Sequence, residues 1–252
     1  MSKFSLKGRL AVVTGGARGC GLAFAQGLAE AGADIAVFDV IDPVDGFALL
    51  AGFGIAAKYY KVDVSSLASL DAGFAAVEAD FPGRLDIVVA CAGVNKDVGF
   101  LDTTEADYAR LFAVNSQGVY FTAQRGAQAM LRSGTCVGSI VLVASIASHM
   151  AIRSQRSSAY CGTKGAVRAM VAPMAAELAP HGIRVNSISP GYVRTEMTAP
   201  FPHLLDSWKD EILNGRVAEP DDIKGACVFL ASDASSYCTG ADFRVDGGVT
   251  MW

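Results

Sequence analysis

Short apolar segments of strand length alternate with longer amphipathic segments along almost the whole chain. The apolar segments predict seven strands, at Leu10–Thr14, Asp34–Asp39, Ala57–Val62, Asp86–Ala90, Ser139–Ala144, Arg184–Ser189 and Asp242–Val245. The intervening segments predict five helices, at Gly21–Ala31, Leu67–Phe81, Glu105–Arg132, Ser158–Ala179 and Pro220–Ala231. This alternation is typical of βαβ units, in which helices cover both faces of a parallel sheet. The sequence therefore predicts an α/β fold with a doubly wound parallel sheet of about seven strands.

The chain shows no linker and no internal repeat, so its 252 residues are predicted to form a single domain over residues 1–252. The interval from Gly191 to Arg216 breaks the alternation, and it contains two prolines, Pro200 and Pro202, together with Phe201, Trp208 and several leucines. A long connection after a strand is often a lid or a substrate loop, although it can be an ordinary surface excursion. Because this segment is apolar, we expect a substrate loop or lid at about 192–216.

Composition excludes several classes of function. Hydrophobic residues make up 52% of the chain and charged residues 18%, which favours a large core; the apolar surplus fits either a subunit interface or an Ala-rich interior. The formal net charge is −4 without basic runs, so no nucleic-acid or membrane partner is expected. The start of the chain lacks the apolar region of a secretory signal, and a cytoplasmic location is expected.

Cysteine and histidine patterns narrow the chemistry further. The six cysteines include no C-x-x-C pair, which favours a reducing compartment. The three histidines, His149, His181 and His203, are not at helical ligand spacing from one another. We therefore expect no metal site and no Ser-His-Asp hydrolase.

A glycine-rich turn follows the first predicted strand and opens the first helix. Thr14–Gly21 has the spacing G-x-x-x-G-x-G, with Gly15, Gly19 and Gly21 as its glycines. Such a turn lets the backbone approach a pyrophosphate at a helix N-terminus, although any sharp βα turn can use glycines. Its place at the first turn of an alternating pattern favours dinucleotide binding.

The residue at the end of the second strand predicts the cofactor. Asp39 lies about twenty residues beyond the glycine turn, where a carboxylate binds the adenosine ribose hydroxyls and repels a 2′-phosphate. Arg18 favours NADP(H) instead, because a cation in the turn could pair with that phosphate. We give Asp39 more weight, and NAD(H) is the predicted cofactor.

Tyr160 and Lys164 lie four residues apart on a predicted helix, and therefore on one face of it. The ordinary pKa of tyrosine, near 10, is too high for an efficient base at neutral pH. A neighbouring ammonium group lowers it by stabilising the phenolate. Taken alone, a Tyr-x-x-x-Lys pair is common on helix surfaces.

The surrounding motifs resemble the short-chain dehydrogenase/reductase family over nearly the whole chain. Besides the glycine turn, the matching residues are Asp63-Val64, Cys91-Ala92-Gly93, Asn115, Ser145, Tyr160, Lys164 and Pro190-Gly191-x-x-x-Thr195. Each falls on the element where the family has it. The resemblance implies a Rossmann-type fold and an oxidoreductase that interconverts an alcohol and a ketone.

The resemblance also implies a role for each matching residue. Tyr160 would exchange the alcohol proton, and Ser145 would hydrogen-bond the reacting oxygen. Lys164 would bind the nicotinamide ribose, and Asn115 would hold a water that links Lys164 to solvent. The implied catalytic residues are Asn115, Ser145, Tyr160 and Lys164. The implied cofactor-binding residues are Gly15, Arg18, Gly19, Gly21, Asp39, Asp63, Val64, Gly93, Tyr160, Lys164, Pro190, Gly191, Val193 and Thr195.

Three positions depart from the family pattern. Ala90 and Cys91 stand where the family usually has two asparagines, so a structural asparagine is missing. Cys20 replaces a larger aliphatic residue. The interval from Ser145 to Tyr160 is longer than in many members, and this loop resembles the polyol and ketose branch of galactitol, mannitol and arabinitol dehydrogenases and sorbose reductases.

This branch implies a polyol or sugar-like substrate. The expected substrate-binding residues are Ser145, Gln155, Tyr160 and Tyr192. Ala147 stands where some relatives carry a hydroxyl group, so one candidate donor is absent. Relatives are usually tetramers, and a homotetramer is expected.

Two other hypotheses stay open. One is a biosynthetic reductase of a bulky or hydrophobic ketone, which predicts NADPH preference. The other is a cofactor-binding scaffold that has lost catalysis, which has no chemical need for intact Asn115, Ser145, Tyr160 and Lys164.

Overall fold

A parallel sheet of seven strands forms the centre of the chain. The computed structural model describes residues 2–135, 137–199 and 204–252, so Cys136 and His203 lie outside the described residues. The strands are β1 Leu10–Thr14, β2 Asp34–Asp39, β3 Ala57–Lys61, β4 Ile87–Ala90, β5 Gly138–Val143, β6 Ile183–Pro190 and β7 Asp242–Val245. Their order is β3-β2-β1-β4-β5-β6-β7, and each described pair is parallel. The predicted doubly wound parallel sheet of about seven strands is confirmed.

Helices connect the strands on both faces of the sheet. They are α1 Gly19–Glu30, α2 Leu67–Asp80, α3 Glu105–Phe112, α4 Val119–Ser133, α5 Ser158–Leu178, α6 Leu205–Glu211 and α7 Pro220–Ala231. The prediction of one continuous helix over Glu105–Arg132 is wrong in one respect, since a π-helical turn at Ala113–Gly118 separates α3 from α4. Such turns insert one residue into the helix and often occur at functional sites. None of the helices in the described ranges is long and apolar enough to cross a bilayer.

Two apolar layers bury the sheet. One layer packs β1, β4 and β5 against α2, α4 and α5, and the other packs the opposite face against α1 and α7. Every residue of β1, β4 and β5 is buried, which explains their continuous apolar sequences. Phe38 is fully buried on β2, where its ring makes edge contacts with Tyr60 and Phe74 at centroid distances of 5.7 and 5.3 Å.

The order of the strands places the functional site. The order in which strands are added reverses between β1 and β4. The chain adds β2 and β3 on one side of β1, and then adds β4 to β7 on the other side. In open α/β sheets the ligand crevice lies at the carboxyl ends of the strands at this reversal. A third, smaller apolar cluster covers this region, and it contains Tyr160, Tyr192 and Trp208.

Candidate active site

The glycine turn after β1 forms a close-fitting cradle. Gly15 has a φ of +67°, and a β-carbon on it would lie 2.7 Å from Ala92 Cα. A β-carbon on Gly21 would lie 2.0 Å from the Gly15 carbonyl oxygen. Arg18, the residue before α1, makes no side-chain cap, so the first amides of α1 are left for another acceptor. The turn therefore fits a pyrophosphate at a helix N-terminus.

Asp39 is held against this turn by backbone amides. Its Oδ2 accepts a hydrogen bond from Ala17 N at 3.1 Å, and its Oδ1 accepts from the amides of Val40 and Ile41 at 2.8 and 3.3 Å. Arg18 is exposed, and among the described residues it forms no ion pair with Asp39. The carboxylate is therefore fixed at the end of β2, while Arg18 extends away into solvent.

Thr14 supplies a support that the sequence did not reveal. Its hydroxyl oxygen accepts hydrogen bonds from Cys91 N at 3.1 Å and from Ala92 N at 3.2 Å. These two bonds join the end of β1 to the segment after β4, where the usual family asparagine is missing. Thr14 is buried at the last position of an apolar strand, so nothing in the sequence distinguished it from core packing.

Asn115 lies fully buried in the π-helical turn. Its Oδ1 accepts from Val94 N at 2.8 Å, and its Nδ2 donates to Val94 O at 2.8 Å and to Thr163 Oγ1 at 3.1 Å. Asn115 therefore joins the segment after β4 to α5. Thr163, which the sequence analysis did not identify, orients it. The water expected between Asn115 and Lys164 stays a prediction.

Lys164 lies beside Asn115 and Gly93. A β-carbon on Gly93 would lie 3.5 Å from Asn115 Oδ1 and 3.6 Å from Lys164 Nζ. Lys164 Nζ donates to Val143 O at 2.7 Å and lies 5.9 Å from the centre of the Tyr160 ring. Burial lowers the pKa of Lys164 to about 8. Among the described residues, Val143 O uses one of its three N–H groups, and the other two are available for a ligand hydroxyl.

Tyr160 and Ser145 lie together at the carboxyl end of β5. Each is 9% exposed. Burial raises the pKa of Tyr160 to about 12, and a hydrogen bond from Ser145 acts in the opposite direction. We expected Lys164 to lower this pKa, but among the protein's own groups burial has the larger effect. A low tyrosine pKa therefore needs a further positive charge near the phenol.

The segment after β6 adjoins the glycine turn. A β-carbon on Gly191 would lie 2.7 Å from Asp246 Cα, and a β-carbon on Gly19 would lie 3.5 Å from Thr195 Cγ2. Val193, three residues beyond Pro190 at the end of β6, is buried and forms a parallel bridge with Ala218. These contacts bring the sequence-identified residues of the first and sixth βα connections to one place.

Two residues at the adenine side are less directly placed. Asp63 is exposed, and its Oδ1 accepts hydrogen bonds from the amide and hydroxyl of Ser65. Val64 is buried, and a β-carbon on Gly118 would lie 2.8 Å from its Cγ2. Their adenine contacts stay a prediction.

Two aromatic residues, Tyr192 and Trp208, pack in the same apolar cluster as Tyr160. Tyr192 stacks on Trp208 of α6 with a centroid distance of 4.5 Å and an interplanar angle of 7°. Its hydroxyl donates to Glu211 Oε2 at 3.0 Å, and Trp208 Nε1 donates to Ser154 Oγ at 2.7 Å. The predicted lid thus contains a short helix bound to the loop after β5. Residues 200–203 of that segment lie outside the described residues.

Gln155 lies half-buried in the loop after β5. Its backbone N–H donates to Ile152 O at 3.3 Å. Within the described ranges its side-chain amide has no hydrogen-bond partner. That side-chain amide is available to hydrogen-bond with a substrate hydroxyl. In the described part of the chain, no group of three or more His, Cys, Asp or Glu residues is arranged to hold a metal ion.

Known proteins are similar to this chain in sequence and in fold over most of their length. A family model described as enoyl-(acyl carrier protein) reductase matches residues 15–250. Galactitol 2-dehydrogenase (L-tagatose-forming) from Cereibacter sphaeroides is 37% identical, over 99% of this chain and 98% of that protein. A probable NADP-dependent mannitol dehydrogenase from Yarrowia lipolytica is 35% identical, over 98% of this chain and 90% of that protein. The crystal structure of a short-chain type dehydrogenase/reductase from Mycobacterium marinum superimposes with a TM-score of 0.94 at 37% identity, over 99% and 98% of the two chains.

The chain therefore belongs to the short-chain dehydrogenase/reductase family, and it is an oxidoreductase acting on CH–OH groups with a nicotinamide cofactor. The resemblance to the branch with galactitol and mannitol dehydrogenases is confirmed.

The close fit of the glycine turn predicts that a side chain at Gly21 weakens NADH binding. We expect Gly21→Ala to raise the dissociation constant of NADH at least about tenfold, because displacing the Gly15 backbone by overpacking costs on the order of 1–3 kcal/mol. Titration of NADH fluorescence measures this. Gly225→Ala is the matched control, because a β-carbon there would meet no atom within 4 Å and alanine favours the α7 helix. Unchanged NADH affinity in Gly21→Ala would contradict the cradle.

Proposed function

We propose that this protein is an NAD(H)-dependent dehydrogenase that interconverts a secondary alcohol and a ketone, with a polyol or sugar-like substrate and Tyr160 as acid/base. The observation that carries the proposal is the arrangement of Ser145, Tyr160 and Lys164. All three are buried, and they lie at the carboxyl ends of the central strands beside the glycine cradle. Initial rates of NAD⁺ reduction across a panel of sugar alcohols test it.

The residues present fit a nicotinamide dinucleotide. The cradle at Gly15 and Gly21 leaves no room for a side chain, and the amides at the start of α1 suit the pyrophosphate. Lys164 would hold the nicotinamide ribose through its two remaining N–H groups, and the segment from Pro190 to Thr195 would line the nicotinamide end. When bound, the nicotinamide takes up or gives the hydride, and its oxidised ring adds a positive charge that favours the Tyr160 phenolate.

Proton transfer in this proposal is the work of Tyr160. During oxidation its phenolate oxygen accepts the proton of the substrate hydroxyl, and during reduction its phenol donates that proton to the carbonyl oxygen. Ser145 donates a hydrogen bond to the same substrate oxygen and holds the charge that develops on it. Its oxygen accepts from Ala147 N at 3.1 Å, and its one hydroxyl proton, which bonds to Tyr160 in the structure, would turn to the substrate oxygen when the substrate binds. Lys164 supports the phenolate from the same face of α5.

The proposed preference for NAD(H) depends on Asp39. The mannitol dehydrogenase relative is named NADP-dependent, so the preference has to be argued from this chain's own residues. Three backbone amides hold the Asp39 carboxylate at the end of β2, where it would accept hydrogen bonds from the ribose hydroxyls. A 2′-phosphate at this place would meet the Asp39 carboxylate. The neighbouring side chains of Val40 and Ile41 offer no cation.

We expect Asp39→Asn to shift the ratio of kcat/KM for NAD⁺ over NADP⁺ towards NADP⁺ by about 10- to 100-fold, the equivalent of 1.5–3 kcal/mol for hydrogen bonds to a charged group. Asparagine keeps an acceptor for the backbone amides and removes the charge. Asp42→Asn removes the same charge from an exposed position nearby, and it should leave the ratio nearly unchanged. An equal shift in both variants would mean that general electrostatics, and not contact at Asp39, sets the preference.

A polyol substrate is supported by the relatives and by Gln155. The relatives named above act on galactitol and mannitol by their names. Hydroxyl-rich substrates need polar partners, because unpaired buried polar groups are costly. The half-buried Gln155 side chain can serve as donor and acceptor.

One observation favours the second candidate, a reductase of a hydrophobic ketone. The apolar cluster around Tyr160 contains Ile146, Ala147, Ile152, Ile212 and Trp208, and these side chains offer few hydrogen bonds. Activity on apolar ketones with none on polyols would favour this candidate.

A further inference from the structure

A hydrogen bond that the proposed reaction does not use joins two distant parts of the chain. His149 Nε2 lies 2.7 Å from Asp242 Oδ2, and the two side chains are 18% and 14% exposed. His149 follows the turn after β5, and Asp242 is the first residue of the edge strand β7. The bond therefore connects the loop that carries Ser145 to the edge of the sheet.

Asp242 is itself fixed by β6. The hydroxyl groups of Ser187 and Ser189 donate to its carboxylate, and Ser189 Oγ lies 2.8 and 3.0 Å from the two oxygens. Both serines are fully buried. A carboxylate can only accept, so His149 Nε2 carries the proton in its bond with Asp242. Because neutral imidazole can carry that proton, the contact does not require a charged His149.

His149 also completes the turn that begins at Ser145. Ser145 O accepts from Ser148 N at 2.9 Å, and Ile146 O accepts from His149 N at 2.8 Å. Ser145 Oγ accepts from Ala147 N at 3.1 Å. Ser145 and His149 thus belong to one hydrogen-bonded unit, and the position of one fixes the orientation of the other.

We propose that His149 and Asp242 are positioning residues for Ser145. Asp242, held by two buried serines of β6, anchors the His149 imidazole, and His149 fixes the turn in which Ser145 faces Tyr160. The inference rests on the proposed function, in which Ser145 binds the reacting oxygen. The anchor uses β6, whose end carries Pro190 beside the expected nicotinamide site, so it sets Ser145 relative to the cofactor as well as to Tyr160.

Steady-state kinetics of substitutions at both residues test the proposal. We expect His149→Ala to lower kcat by about 10- to 100-fold, the loss typical of a catalytic group displaced by about 1 Å. KM for the cofactor should not change, since neither residue touches its cradle. His149→Gln keeps an N–H donor near the position of Nε2 and should restore most of kcat. His181→Ala, at an exposed histidine, is the matched control and should match the wild type.

Coupling between the two residues gives a second criterion. We expect the double variant His149→Ala/Asp242→Asn to lose little more kcat than His149→Ala alone, because the contact between residues 149 and 242 is already absent in His149→Ala and asparagine keeps an oxygen that accepts from Ser187 and Ser189. If the fold-loss in kcat of the double variant equalled the product of the losses in the two single variants, the proposal would be overturned. An unchanged kcat in His149→Ala, or a loss in His149→Gln as large as in His149→Ala, would overturn it too.

Amide hydrogen exchange separates failure of this inference from failure of the proposed function. In His149→Ala we expect faster exchange at the amides of Ala147, Ser148 and His149's replacement, with protection regained in His149→Gln. Exchange needs no substrate, so it reports on the turn even if the wild type oxidises no alcohol in the panel. Equal protection in wild type and His149→Ala would contradict the anchoring, whatever the activity.

Discussion

Tyr160→Phe should lower kcat by about 10²- to 10⁴-fold, the range that general acid–base catalysis contributes. The substitution removes the phenolic oxygen, which is the proposed proton acceptor in oxidation, and keeps the ring. Because Tyr160 is 9% exposed and packs among apolar side chains, phenylalanine should preserve the fold. NADH affinity should be nearly unchanged, because the cradle and Lys164 remain. Initial rates together with NADH titration measure both quantities.

Tyr237→Phe is the control for this experiment, because it removes a hydroxyl from a fully exposed tyrosine. It should have the kinetics of the wild type. Retention of more than about a tenth of kcat in Tyr160→Phe, well outside the range for a lost acid/base, would contradict the assignment of proton transfer to Tyr160.

Lys164→Met should abolish most turnover and at the same time stabilise the protein. Methionine fills a similar volume without the ammonium group, so both the expected ribose contact and the support for the Tyr160 phenolate are lost. Burial lowers the pKa of Lys164 to about 8, which means that the charged form is held at a cost in the folded protein. Removing it should raise the free energy of unfolding at pH 7 by on the order of 1–3 kcal/mol, after allowing for the lost bond to Val143 O.

The pH dependence of the difference in unfolding free energy between Lys164→Met and the wild type shows whether the buried charge of Lys164 causes it. Below pH 8 Lys164 is protonated in both folded and unfolded chains, so the full cost is present. Between pH 8 and about 10.5 the unfolded chain binds more protons at this residue than the folded chain does, so wild-type stability gains relative to Lys164→Met as pH rises. Urea denaturation at pH 7, 8.5 and 9.5 should therefore show a narrowing gap, whereas a constant or widening gap would contradict a buried, depressed lysine. Lys61→Met, at an exposed lysine, provides the comparison.

The strands could be predicted because a strand that is buried on both faces consists mostly of apolar residues. β1, β4 and β5 are buried on both faces, so each reads as an uninterrupted apolar run, and the observed bounds differ from the predicted ones by at most one residue at either end. The π-helical turn at Ala113–Gly118 was not predicted, because the amphipathic pattern continues through it. Helix α6 was missed as well, since seven residues carry too little periodic signal.

The positions of the candidate catalytic residues in the fold could be predicted because their spacing follows the elements that carry them. Tyr160 and Lys164 share a helix face, and Ser145 lies two residues beyond the end of β5, the strand before that helix. Contacts between distant segments gave no such signal. His149 and Asp242 are 93 positions apart, and Trp208 and Ser154 are 54 apart. The raised pKa of Tyr160 was also out of reach, because it depends on how deeply the folded chain buries the ring.

The initial rate of NAD⁺ reduction, measured across galactitol, mannitol, shorter sugar alcohols and simple secondary alcohols with NADP⁺ in parallel, tests the central claim most directly. We expect at least one polyol to be oxidised, with NAD⁺ preferred over NADP⁺, and with no comparable rate on simple apolar alcohols. Oxidation of apolar alcohols alone would replace the polyol substrate with a hydrophobic one, and a preference for NADP⁺ would contradict the role of Asp39. Absence of turnover both here and in the reverse direction, with ketoses and NADH, would contradict the proposed dehydrogenase.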